Sequence, residues 1–189
     1  MNDLILPSFY LAPISYYKRL VHTHHVSIEV HEHYIKQTPR NRCWIDSPSG
    51  PLALSIPVEK TLGKTAMCDV RISDHGNWRH QHWNALVSSY GQSPFFEFYA
   101  DDFAPFYEKK WTYLVDFNED LLRLVCHLLD IESCLTRTTS FQGVSPTALH
   151  HQTAADSYYQ VLAHRHGFLP DLSIVDLLFN MGNESIFYL

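Results

Sequence analysis

The chain has 189 residues, of which 46% are hydrophobic and 18% are charged, and this composition is typical of a globular protein. Its length predicts a single domain, residues 1–189, with enough residues to bury a hydrophobic core. The formal charge of −6 argues against non-specific binding of nucleic acid, which needs clustered lysine and arginine, although a locally basic cleft is compatible with it.

The first half of the chain has the hydrophobic patterns of short strands. Residues 26–31 alternate strictly between apolar and polar, which predicts a half-buried strand. Residues 47–51 are rich in serine, glycine and proline, so they predict the turn of a hairpin. In chain order, the predicted elements are a strand at residues 4–6, a helix from Pro13 to about His22, strands at 26–31, 42–46 and 52–58, and a weaker strand at 70–72.

The second half has mostly helical periodicity. The clearest helix has Asn118 as its predicted N-cap, two acidic residues in its first turn, and leucines spaced along one face. The predicted elements are helices from Asn77 to Tyr90, from 97 to 109 and from Asn118 to about Leu128, a strand at 135–141, a loop at 143–155, and helices at 155–166 and 173–181. Trp83, Leu86, Val87 and Tyr90 are expected to share the buried face of the first of these helices.

This order of elements predicts an α/β or α+β fold. Residues 1–75 are strand-rich and are expected to form a mixed sheet, and residues 76–189 are helix-rich and are expected to pack on it. No repeat and no convincing linker interrupts the chain.

The termini and the cysteines bear on the cellular compartment. Residues 1–7 lack the basic and apolar regions of a signal peptide, and no stretch approaches the ~20 apolar residues of a membrane span. The four cysteines form no CxxC pair and no regular framework, which predicts free thiols in a reducing environment. We therefore expect a cytoplasmic protein that does not bind a membrane.

Several polar side chains occur at the ends of the strands predicted between residues 34 and 60. Lysine and arginine can bind a phosphate or carboxylate, arginine with two parallel bonds, while a phenol and an amide can orient the ligand. The predicted substrate-binding residues are Tyr34, Lys36, Asn41, Arg42 and Lys60. The alternative is that the lysines are solvated strand ends and that Arg42 pairs with a carboxylate.

Candidates for catalysis and for metal binding are fewer. His82 is the nearest candidate for a general base, and Cys43 is more consistent with a buried structural thiol than with a nucleophile. His31 and His33 have a usable metal-ligand spacing on a strand, but no HExxH or CxxC motif accompanies them, so no metal is predicted. The chain also lacks GxSxG, phosphate-loop and dinucleotide-binding glycine patterns, and no cofactor is predicted.

The order of motifs resembles the WbqC-like protein family along nearly the whole chain. The resemblance rests on the order and spacing of its segments, since no single segment is specific. They are Leu6-Pro7-Ser8-Phe9-Tyr10, the helix from Ile14 to Leu20, Tyr34-Ile35-Lys36, Asn41-Arg42, Ile56 to Lys60, Trp78 to Tyr90, Pro94-Phe95-Phe96, the helix from Asp116 to Leu129, and Leu172 to Gly182. One departure is Leu6, where family members often carry glutamine before the proline.

The resemblance implies a role in surface-polysaccharide or modified-sugar metabolism. On this basis we expect a transferase that moves an acyl or aminoacyl group to an activated amino sugar, with a small anionic or sugar molecule as its ligand. The alternative is a non-catalytic module that binds a ligand or assists assembly of polysaccharide biosynthesis enzymes. The two differ in that an enzyme needs convergent polar groups in a closed cleft.

Overall fold

Three short parallel strands form the larger of two sheets. The computed structural model describes residues 4–60, 63–144 and 157–189. The sheet has the order β1–β2–β5, with strands β1 (Leu4–Pro7), β2 (His25–Glu29) and β5 (Cys134–Arg137). Helix α1 (Ile14–Leu20) makes the crossover from β1 to β2 that a parallel pair requires.

A hairpin forms the second sheet. Strands β3 (Arg42–Ile45) and β4 (Leu52–Ser55) pair antiparallel, as the sequence predicts. The turn is closed because the Ser47 and Gly50 backbones bond to each other and the Ser47 hydroxyl also donates to the Gly50 carbonyl at 2.6 Å. Along β3 the side chains alternate, so Cys43 and Ile45 are buried while Trp44 points outward.

Most of the remaining chain is helical. The other helices are α2 (Trp78–Tyr90), α3 (Phe96–Glu108), α4 (Leu114–Leu128), α5 (Ala163–His166) and α6 (Ile174–Met181), and 3₁₀ turns cover Met67–Asp69 and Gly182–Tyr188. Their hydrophobic faces share one core with the sheet, in which Leu6, Ile28, Phe117 and Phe179 are fully or almost fully buried. The predicted fold class is therefore confirmed, except that the strands form two small sheets where one mixed sheet was expected.

Four local predictions are wrong. Helix α4 begins four residues before Asn118, because Asn118 is buried and bonds to distant groups and does not cap the helix. Residues 70–72 make only isolated bridges, through Arg71 and Ile72. Val87 lies on the exposed side of α2, where His82 and Ser89 are buried. Of the helix predicted at 155–166, only Ala163–His166 is helical, and residues 155 and 156 lie outside the described residues.

The structure also bears on the predictions about membrane spans, metal ligands and cysteines. No helix in the described ranges is long and apolar enough to cross a membrane. Within the same ranges, no three His, Cys, Asp or Glu side chains are grouped so that they could hold a metal ion. All four cysteines are free thiols, and burial raises the pKa of Cys126 to about 12. The predicted loop at 143–155 lies mostly outside the described residues.

Candidate functional site

Arg42, the first residue of β3, lines a cavity. Its Nε donates a 2.7 Å hydrogen bond to the hydroxyl of Ser55, its partner across the hairpin, which fixes the plane of the guanidinium group. Within the described part of the chain the two terminal nitrogens have no hydrogen-bond or ion-pair partner, so both can bind an anion. The cavity has a volume of about 240 Å³, and its lining includes Leu11, Pro39, Trp44 and Asp171 as well as Arg42.

Two of the residues that line the Arg42 cavity have a constrained backbone conformation. Leu11 and Asp171 have φ angles of 39° and 51°, a region that non-glycine residues seldom adopt and that clusters at functional sites. Asp171 is fixed because its carboxylate accepts bonds from the backbone N–H and the hydroxyl of Ser15, at 2.8 and 3.0 Å. This part of the lining is therefore organised before any ligand arrives.

A second cavity shares the lining residues Trp44 and Asp171 with the first. It measures about 360 Å³, and Trp44, Pro51, Leu169 and Asp171 contribute to a largely apolar lining. Trp44 borders both spaces and is 49% exposed. We call the two cavities together the Trp44 groove. Its lining includes a cation, Arg42, and an exposed aromatic side chain, Trp44, a combination suited to ligands that carry a negative group and a ring.

Ser173 joins the two sides of the groove. Its backbone N–H donates to the carbonyl of Trp44 at 2.8 Å, so the segment before α6 runs beside β3. The Ser173 hydroxyl lines the Arg42 cavity, is buried, and has no hydrogen-bond partner among the described residues. Ser173 is the N-cap residue of helix α6, but its hydroxyl makes no cap bond to the helix. A buried hydroxyl without a hydrogen-bond partner is costly to the fold.

Tyr34 lies near Arg42, the arginine that was predicted to bind the substrate. Burial raises the pKa of its phenol to about 12, and the positive charges of Arg40 and Arg42 act in the opposite direction. The phenol oxygen is buried and has no hydrogen-bond partner among the described residues. Arg40 forms a two-bond ion pair with Glu32, at 2.9 and 2.6 Å, with both side chains almost fully buried. Tyr34 and Arg42 are thus brought together, next to a second arginine that the sequence analysis did not select.

Asn41 occupies the same region but is engaged by the backbone. Its amide nitrogen donates to the carbonyl of Ile56 at 2.9 Å, and its amide oxygen accepts from the N–H of Gln37 at 3.2 Å. Lys36 and Lys60 are exposed, and neither makes a hydrogen bond or ion pair to Tyr34, Asn41 or Arg42 in the described ranges. The ligand-binding roles of these three residues remain predictions.

His82 lies inside the molecule. Its side chain is 5% exposed, Nδ1 is 3.0 Å from the hydroxyl of Tyr10, and the ring also bonds to the backbone of Ser55. Burial lowers the pKa of the ring to about 4, so the imidazole is neutral at physiological pH. This arrangement suits a structural link between α2 and β4, and its predicted catalytic role remains a prediction.

Several residues around the groove were not selected from the sequence. Trp44 had a local signal, because strand alternation places it on the same face as Arg42 and opposite Cys43 and Ile45. Asp171 and Ser173 had none, because they reach the groove only through the path of the chain between α5 and α6. Cys43 lines the Arg42 cavity, but burial raises the pKa of its thiol, which disfavours the thiolate that a nucleophile requires.

Comparison with known proteins gives two matches. The model of the WbqC-like protein family matches residues 8–151, a range that includes Tyr34, Arg42 and Trp44. The uncharacterized protein Rv1507c of Mycobacterium tuberculosis is 27% identical over 192 residues, covering 82% of this chain and 83% of that protein. No solved structure matches the chain.

Proposed function

This chain belongs to the WbqC-like protein family, and we propose that it is a cytoplasmic transferase of surface-polysaccharide or modified-sugar metabolism. It moves an acyl or aminoacyl group to the amino group of an activated sugar. The observation that carries the proposal is the position of Arg42 and Trp44 on one face of β3, where both line the same cavity.

The groove fits the chemistry of an activated amino sugar. A phosphate accepts two bonds from the free edge of the Arg42 guanidinium, since Nε is already committed to Ser55. A sugar or base ring packs on the indole of Trp44, which is large, rigid and half-exposed. The larger cavity, at about 360 Å³, lies within the size range of small-molecule sites, so there is space for both parts.

The transfer itself is an attack of an amine on a carbonyl. The sugar nitrogen bonds to the carbonyl carbon of an acyl thioester or an aminoacyl ester, and the bond from that carbon to sulfur or oxygen breaks. The amine loses one proton and the leaving thiol or hydroxyl gains one. Arg42 and Trp44 contribute by holding the sugar so that this bimolecular step occurs within one complex.

The rival function is a non-catalytic module that binds the same ligand for the enzymes of polysaccharide assembly. Both functions need the groove, and they differ only in product formation. Mass spectrometry of mixtures of the protein, UDP-glucosamine and an acyl thioester separates them. An N-acylated sugar that forms faster than without protein supports the transferase, and its absence despite binding supports the module.

Replacement of Arg42 by alanine is expected to weaken UDP-glucosamine binding by at least about 10- to 150-fold, the effect of losing one of its two charged hydrogen bonds. The reason is that each charged hydrogen bond lost at a ligand site costs roughly 1.5–3 kcal/mol. Arg42→Lys should restore only part of the affinity, because one ammonium group cannot reproduce two parallel bonds. Titration calorimetry measures both changes.

Arg71→Ala is the matched control, because Arg71 carries the same charge and its side chain is 50% exposed in a loose ion pair with Glu59. It should leave the affinity unchanged. If Arg42→Ala lowers the melting temperature strongly and leaves the affinity of the remaining folded protein intact, Arg42 supports the hairpin and the binding role is wrong.

A further inference from the structure

A histidine paired with a buried carboxylate is close along the chain to residues that line the Trp44 groove. His166, at the C-terminal end of α5, places its Nε2 2.6 Å from Oδ1 of Asp46. The carboxylate of Asp46 is 2% exposed, whereas the imidazole is 22% exposed and can reach solvent or a ligand. The other carboxylate oxygen, Oδ2, is buried and has no partner among the described residues.

The chain path connects this pair to the groove. Asp46 follows Trp44 by two residues, and His166 precedes Leu169, which lines the larger cavity, by three. Two hydrogen bonds hold the two segments together, from Ser173 to Trp44 and between His166 and Asp46. Neither His166 nor Asp46 is among the residues that line the two cavities, so the pair is linked to the groove through its chain neighbours, and a ligand has to extend past Leu169 to reach His166.

The pair is held by a rigid polar network. The backbone N–H of Asp46 donates to the Tyr90 hydroxyl at 3.1 Å, and that hydroxyl donates to the buried carboxylate of Asp176 at 2.8 Å. Gln160 also donates to Asp176, and its amide accepts from the N–H of Leu169 in the groove wall, at 2.9 Å. The network therefore fixes Asp46 and the groove wall together.

This geometry gives His166 a defined proton-accepting atom. When the ring carries one proton, the nitrogen that faces the carboxylate holds it, so Nε2 donates to Asp46 and Nδ1 keeps its lone pair. Within the described residues Nδ1 has no hydrogen-bond partner. His82 offers no such atom, since its ring is buried and engaged by Tyr10 and Ser55.

We propose that His166 is the general base of the transfer, and that Asp46 is the residue that positions it. The inference rests on the proposed function and names a residue beyond the range that the family model matches. As the sugar amine bonds to the carbonyl carbon, one of its protons passes to Nδ1 of His166. The imidazolium then gives this proton to the departing thiolate or alkoxide as its bond to that carbon breaks, so the histidine returns to its starting state.

The test uses His166→Asn, with His164→Asn as the matched control. His164 lies on the same short helix and is exposed, and among the described residues its ring bonds only to the carbonyl of Val161. His166→Asn is expected to lower turnover of UDP-glucosamine with an acyl thioester about 100- to 10,000-fold. Its affinity for UDP-glucosamine should stay within twofold of wild type. Equal turnover in the two variants would overturn the proposal.

A second measurement does not depend on turnover. In nitrogen-15 NMR spectra, the His166 ring should show a protonated Nε2, and its Nδ1 signal should shift when UDP-glucosamine is added but not when UDP is added. Asp46→Asn should remove the preference of the His166 ring for a proton on Nε2, while the fold stays unchanged. If the Nδ1 signal does not shift when UDP-glucosamine is added, His166 does not contact the amine.

The two proposals fail in different ways. If UDP-glucosamine does not bind, or binds equally to Arg42→Ala, the proposed function is wrong and the His166 assignment is wrong with it. If binding depends on Arg42 and product forms equally in His166→Asn, only the assignment of His166 is wrong.

Discussion

Glu32→Ala is expected to lower the free energy of unfolding by about 3–5 kcal/mol, because it leaves the guanidinium of Arg40 buried without its partner. Both side chains of this ion pair are 9% exposed, and two hydrogen bonds join them. Chemical denaturation measures the free energy directly. For a chain of this length, the melting temperature should fall by roughly 10 °C.

Glu59→Ala is the control for this prediction. The Glu59–Arg71 pair has the same charges at a longer distance of 3.4 Å, and both side chains are about half exposed. Loss of such a pair costs about 0–1 kcal/mol, since water solvates the remaining arginine. Equal destabilisation by the two variants would show that the buried pair contributes no more than a surface pair.

The Glu32–Arg40 pair also bears on the candidate site. The carbonyl of Arg40 accepts a 2.9 Å bond from the amide of Asn118 in α4, so the pair fixes the chain that leads into β3. Glu32→Ala should therefore weaken ligand binding at Arg42 as a consequence of local unfolding. Stability has to be measured first in every variant of residues 32–42, because partial unfolding by itself lowers the affinity for the ligand.

The second large effect is a pH dependence of stability caused by Asp176. Burial raises the pKa of this carboxyl to about 6, the negative charge of Asp46 adds to the rise, and bonds from Tyr158, Tyr90 and Gln160 oppose it. The folded protein therefore binds this proton more tightly than the unfolded chain, whose carboxyl has a pKa near 3.8. The stabilisation is complete below about pH 4 and is lost as the pH rises through about 6.

The size of this effect follows from the shift of about two pKa units, which corresponds to roughly 3 kcal/mol. Urea unfolding between pH 4 and 7.5 measures it as the difference between the wild type and Asp176→Asn, whose amide does not titrate. The free energy of unfolding of the variant, taken relative to that of the wild type, should rise by about 3 kcal/mol from the low to the high end of this pH range. Other groups, such as Glu29 with its lowered pKa, are common to both proteins and cancel in the difference.

A constant difference between the two proteins would contradict the assignment of the titration to Asp176. Asp46→Asn provides a further check, because removal of the neighbouring negative charge should lower the pKa of Asp176. The window in which stability is lost should then move to lower pH. An unchanged window would mean that Asp46 does not act on Asp176.

The outcome for α4 shows why some sequence signals mislead. Asn118 has the residue type and the acidic neighbours of a helix N-cap, and the leucine periodicity after it is correct. In the fold its amide nitrogen donates instead to the Ser8 hydroxyl and the Arg40 carbonyl, at 3.2 and 2.9 Å. A side chain that can cap a helix can equally bridge distant segments, and only the packing decides between these uses.

Features that depend on near neighbours in the chain were predictable from the amino-acid sequence. The serine, glycine and proline turn fixes the β3–β4 hairpin, and alternation along β3 separates Arg42 and Trp44 from the buried Cys43 and Ile45. The groups that meet across the groove come from distant segments and were not predictable in the same way. His166 bonds to Asp46 from 120 positions away, and Asp171 bonds to Ser15 from 156 positions away. The physical reason is that such bonds form only after the packing of α1, α6 and β3 brings their segments together, and no periodicity within a short window encodes that approach.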